Sequence, residues 1–239
     1  MRFRAKHLQF GVGVLAGLGL ALAALGVFSW LAFEVRMGET LRFDGWVRSS
    51  LHEHASPALT AAMKAFTVIG SSVPMLLLLA TVVGAFWFAR LPRQAMMMAI
   101  AMAGALVIEL SLKHVFHRAR PEPYFNMPLQ TSYSFPSGHA LSAACFYGML
   151  ALLVTARVRR RSYRIAIWTA CGLMIAAIGV SRIYLGVHYP SDVVGGYTTA
   201  CVWLVALSAA LRRFKLADRL ERPQRIAARV KEREEEPRR

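Results

Sequence analysis

Long uncharged apolar runs, separated by short polar stretches, divide this chain. The first extends from Leu8 to Phe33. Others cover about Ser72–Phe88, Ala95–Leu112, Ala140–Ala156, Ile165–Val180 and Val193–Leu211. A helix needs about 20 apolar residues to cross a bilayer. Within lipid the backbone must satisfy its own hydrogen bonds, which a helix does internally. The pattern therefore predicts an all-α protein, an integral-membrane bundle of six transmembrane helices. The first run has a basic start, but it is too long for the apolar core of a signal peptide, and its A-x-A-like stretch at Ala21–Ala24 lies inside the run. A retained helix is expected.

The largest connection, Glu34 to Gly70, is different. "FDGWVRSSLHEHASPALTAAMKAF" places apolar residues at helical spacing, with Phe43 and Trp46 suited to a membrane interface. It predicts one or two external amphipathic helices between spans one and two, lying on the outer leaflet. His52 and His54 are expected to face solvent. Gly11, Gly13, Gly17 and Gly19 give span one small-xxx-small spacing, which predicts close packing within the bundle. Residues 1–211 read as one membrane domain and 212–239 as a charged cytoplasmic tail, a solvated or frayed helix.

Composition agrees, with 56% hydrophobic residues, above the usual soluble range. The net charge of +16 raises nucleic acid as a partner, but its placement argues against one. Arg2, Arg4 and Lys6 precede span one, and Arg90 and Arg93 lie between two and three. Arg157, Arg159, Arg160, Arg161 and Arg164 lie between four and five, and Arg212, Arg213 and Lys215 follow six. These are alternate connections, so the positive-inside rule puts both termini in the cytoplasm. The excess charge sets orientation and meets anionic headgroups. Cys145, Cys171 and Cys201 all fall within spans and read as small hydrophobes.

Cations on the opposite face then need a reason. Lys113, Arg120 and Arg182 fall there, at span ends that share one side. Clustered cations invite an anion, and the planar arginine fork matches phosphate oxygens. "PSGH" at 136–139 opens span four. Pro136 suits a first turn, Ser137 a cap, and Gly138 a close approach of ligand to backbone. Free amides and the helix dipole would aim at the same anion. His188 and Asp192 stand four apart, with Pro190 where span six should begin. A carboxylate on one imidazole nitrogen fixes the tautomer and frees the other to attack. His188 is the candidate nucleophile, and His139 the general acid and then base. No cofactor or metal is called for, because the cations do that work and the sequence offers no carboxylate cluster to hold an ion.

K-x6-R-P, P-S-G-H and S-R-x5-H-x3-D occur here in order as Lys113–Arg120–Pro121, Pro136–Ser137–Gly138–His139 and Ser181–Arg182–His188–Asp192. The set resembles the signature of the type 2 phosphatidic acid phosphatases, shared with vanadium haloperoxidases and glucose-6-phosphatase. The resemblance implies the same roles: His188 nucleophile, Asp192 its partner, His139 acid and base. Lys113, Arg120, Ser137, the Gly138 amide and Arg182 would bind phosphate. It implies a metal-independent, vanadate-inhibited reaction at the extracytoplasmic face of the cell membrane. His114, His117 and Arg118 lie outside the signature and are expected at the rim. Expected substrates are lipid phosphates or pyrophosphates such as undecaprenyl pyrophosphate, phosphatidylglycerol phosphate and phosphatidic acid. The rival readings are a lipid phosphotransferase using the same phosphohistidine and an anionic-lipid transporter.

Overall fold

The computed structural model describes residues 2–210, whose regular structure is all helix, with no strand. The expected tail lies outside the described residues. The helices are α1 (Arg2–Met37), α2 (Leu41–Glu53), α3 (Pro57–Ile69), α4 (Ser72–Phe88), α5 (Pro92–Phe116), α6 (Gly138–Thr155), α7 (Arg161–Tyr184) and α8 (Pro190–Ala210). α1 from Leu15 onward, α5, α6, α7 and α8 are each long and apolar enough to cross a membrane. α3 and α4 pass the same test only together, bent by 56° at their junction. The chain is a multi-span membrane protein with five such helices among the described residues, or six when the bent pair counts as one.

Local signals set the element edges. Ser56 caps α3 by accepting from the Leu59 amide at 3.3 Å, and Pro57 takes the first turn, where its missing N–H costs nothing. α5 likewise opens on Pro92 and closes at His117 in the left-handed region (φ 45°). α1, α5 and α7 overrun their apolar windows by several residues at each end, because charged end residues reach out of the hydrocarbon.

α6 is the centre of the bundle. It packs on α5 and α7, and its buried face joins Met98, Ala101 and Ala105 of α5 to Ala200, Leu204 and Leu207 of α8. Small side chains allow this closeness, as expected where packing, not water exclusion, holds helices together. A Cβ on Gly196 would fall 2.8 Å from the Ser137 carbonyl oxygen, so α8 can lie against the start of α6 only with glycine there.

Two expectations change. Gly17 and Gly19 do not pack α1 closely onto the bundle: a Cβ on either would meet nothing within 4 Å. α1 touches the bundle near its C-terminal end, where Phe28, Leu31 and Val35 cluster with Phe116 and Phe135. The connection between the first two runs forms two helices, as one alternative had it, but α3 packs against α7 and continues into α4 instead of standing apart. In α2, Phe43 and Trp46 are exposed while Asp44 is fully buried.

Candidate active site

Four helix ends meet at one end of the bundle. α5 ends just after Lys113, α6 begins at Gly138, α7 ends just after Arg182 and α8 begins at Pro190. Between α5 and α6 a loop runs over this end. It is tied down by Ser134 N–H to the Arg118 carbonyl (2.9 Å) and Tyr124 N–H to the Leu185 carbonyl (2.9 Å).

His188 is 1% exposed. Its Nδ1 lies 3.1 Å from Asp192 Oδ2 and its Nε2 lies 3.0 Å from Arg120 Nη1. A guanidinium only donates. Nε2 must therefore accept, and the ring proton sits on Nδ1, facing the carboxylate. Burial pulls the His188 pKa down to about 4; Asp192 opposes that shift, while Arg120 and Arg182 add to it. At neutral pH the imidazole is uncharged, with its lone pair on the nitrogen turned towards the cations.

Asp192 falls in the first turn of α8 and reaches back to the Tyr189 amide at 2.9 Å, closing the turn that carries His188. Its Oδ2 also accepts from the Ser134 hydroxyl. Its Oδ1 accepts from Arg118 Nη1 at 2.7 Å. Arg118 is thus not at the rim. It is buried under the site, over the Tyr189 ring at 4.2 Å, and its other nitrogen bonds Thr40 (3.0 Å) and Asp44 Oδ2 (2.8 Å). Asp44 in turn accepts from the Ser191 amide at 3.0 Å and hydroxyl at 2.6 Å. His114 and His117 are exposed.

Arg120 faces the His188 lone pair, and Arg182 acts on the same ring through its charge. Arg120 is fixed by the Ser132 carbonyl (2.7 Å) and hydroxyl (3.0 Å) and the Val187 carbonyl (3.0 Å). Burial lowers its pKa, and the charges of Asp192 and Glu109 act the other way. Arg182, 5% exposed, donates to Thr67 of α3 through Nη1, and its Nε has no partner. Ser137 departs from its expected role. It stands at the N-cap of α6 but makes no capping bond, and its Oγ is fully buried and unpartnered. Pro136 precedes the cap instead of entering the first turn. His139 sits in that first turn, its ring edge against Gly70, within electrostatic reach of Arg182, His188, Arg120 and Lys113. Lys113 is drawn to Glu109, 2.6 Å away.

The structure thus gathers His188, Asp192, His139, Arg120, Arg182, Ser137, Gly138 and Lys113 at one end. Sequence reasoning missed Asp44, Thr67, Ser134 and Glu109. Only Glu109 carried a local signal, its i,i+4 spacing to Lys113.

The PAP2 superfamily pattern matches residues 94–215. The chain belongs to the PAP2 superfamily. Phosphatidylglycerophosphatase B of Bacillus subtilis is 29% identical to this PAP2 chain over 143 residues, 59% of this chain and 70% of the relative. An undecaprenyl-diphosphatase of Sulfolobus acidocaldarius is 30% identical over 129 residues, 52% of this chain and 58% of that protein. In fold, the chain resembles the transmembrane PAP2-type phosphatidylglycerolphosphate phosphatase of Bacillus subtilis, with TM-score 0.74 and 24% identity, covering 81% of this chain and 96% of that one.

Proposed function

We propose that this chain is a membrane phosphatase for lipid phosphates or pyrophosphates, working through a phosphohistidine on His188. The observation that carries the reading is the pairing of a neutral, Asp192-held imidazole with buried donors that lack partners, Ser137 Oγ and Arg182 Nε. Unpaired buried polar atoms are costly. A tetrahedral phosphate between α6, Arg120, Arg182 and Lys113 would satisfy them.

In the first step the Nε2 lone pair attacks phosphorus. Arg120 moves its N–H from Nε2 to a phosphoryl oxygen, the bond to the leaving oxygen breaks, and His139 gives that oxygen a proton. Asp192 stabilises the resulting imidazolium through Nδ1–H. In the second step His139 takes a proton from water as the water oxygen attacks phosphorus. The P–N bond breaks, its electrons return to Nε2, and phosphate leaves. The cations and the free amides of α6 stabilise charge on the equatorial oxygens, each positioned donor being worth about 2.7–4 kcal/mol of barrier. The carboxylates nearest the site are engaged by cations, Asp44 and Asp192 by Arg118 and Glu109 by Lys113, which suits a metal-independent reaction.

The reading counts the bent α3–α4 pair as one span. Six spans put both termini in the cytoplasm and the site at the extracytoplasmic headgroup layer, with α2 lying there on Phe43 and Trp46. The basic stretch from Arg157 to Arg164 then occupies the opposite, cytoplasmic end. Relatives act on phosphatidylglycerophosphate and undecaprenyl diphosphate by their names, and these lipids head the substrate panel. Phosphate release by purified protein from that panel, with and without EDTA, tests the reading. Turnover should survive EDTA and vanish in His188→Ala with the fold intact. Full turnover by His188→Ala would reject the mechanism.

A further inference from the structure

One acidic group stands where an anion-binding site should have none. Glu109 stands four residues, about one turn, before Lys113 on α5, and its carboxylate is folded inward, with its side chain 15% exposed and Oε1 2.6 Å from Lys113 Nζ. A Cβ built on Gly138 would fall 2.0 Å from Oε1 and 2.7 Å from Oε2, so both oxygens press on the first residue of α6. The same charge acts on Arg120. Glu109 thus touches or reaches three of the groups assigned to phosphate: Lys113, the opening of α6, and Arg120. The unpartnered Ser137 hydroxyl lies one residue before Gly138.

We propose that Glu109 is the resting occupant of the phosphate cradle and determines its charge selectivity. An incoming phosphate must displace the carboxylate from Lys113. Two anions on one lysine repel, more strongly in a half-buried site than in water. The penalty grows with the charge of the newcomer, so the cradle disfavours a dianion relative to a monoanion. Glycine at 138 is what lets the carboxylate approach: any side chain there would exclude it. Glu109 is therefore a specificity residue that acts through repulsion and through its hold on Lys113. The inference rests on the phosphate reading of the cradle.

The test is calorimetric titration of the purified full chain in detergent, at pH 8, with inorganic phosphate and with dimethyl phosphate, which carries one charge. Glu109→Gln should bind inorganic phosphate at least about tenfold more tightly than the wild type, the scale of removing one like-charge neighbour. The gain for dimethyl phosphate should be smaller. Unchanged or weaker phosphate binding would overturn the inference, weaker binding meaning that Glu109 only aims Lys113. Equal gains for both probes would overturn the charge selectivity. If Glu109→Gln does not fold, Glu109→Ala carries the same expectation. Binding is read without turnover, so a failure here is separable from failure of the phosphatase reading, which His188→Ala decides.

Discussion

The polar end of the bundle has two halves with opposite habits. Below His188, the groups around Arg118 hold one another: Asp44, Asp192, Ser191, Thr40 and Ser134 interlock. Above it, around the start of α6, Ser137 Oγ and Arg182 Nε have none. The saturated half can only hold geometry. The open half has valences to offer. Two arginines of equal charge and similar burial thus do different work, and the difference lies in what surrounds them.

The sharpest way to break this contrast is Arg118→Ala. It strands two buried carboxylates, Asp44 and Asp192, and should cost about 3–5 kcal/mol of stability, read as a large fall in Tm in detergent. Arg182→Ala strands no acid. It should lower kcat/KM by about 10²–10³-fold, the loss of roughly 2.7–4 kcal/mol of transition-state binding, with a smaller fall in Tm than Arg118→Ala. Next comes pH. The folded His188 has its pKa depressed to about 4, against about 6.5 unfolded. Below pH 6.5 the unfolded chain takes up a proton that the folded chain refuses. The stability margin of wild type over His188→Ala should therefore be full above about pH 6.5 and shrink towards pH 4, by about 3 kcal/mol in total. The smallest effect separates the halves most cleanly. Ser137→Ala removes a hydroxyl without a partner, so stability should stay within about 0.5 kcal/mol of wild type, with Tm little changed. Phosphate binding should weaken by a few-fold, the worth of one hydrogen bond. A Tm loss as large as that of Arg118→Ala would erase the distinction.

Much of this end was legible in the sequence because its residues come in tight spacings at apolar boundaries. Pro190 and Asp192 open α8 as the pattern implies, and His188 lies within reach of Asp192 because four residues span one turn. The apolar runs likewise mark their helices, with ends displaced by a few residues. What stayed hidden depends on distance in sequence. Asp44 sits in an amphipathic stretch where an acidic residue reads as solvent-facing, and only the packing of α2 turns it inward to Ser191, 147 positions away. Thr67 reaches Arg182 across a comparable gap, 115 positions. The motif counts Arg120 but not Arg118, so the sequence alone puts Arg118 at the rim. Hydropathy also does not separate depth: 61% of the apolar window of α6 is buried but only 11% of that of α1.

The reach of Asp44 and Thr67 has a practical corollary. Residues 94–215, the stretch that defines the family, contain the whole signature, but both of these anchors lie upstream of it. That stretch is not a portable cassette. Cut out and expressed alone, or grafted onto another set of leading helices, it would carry two arginines whose counterparts had been left behind.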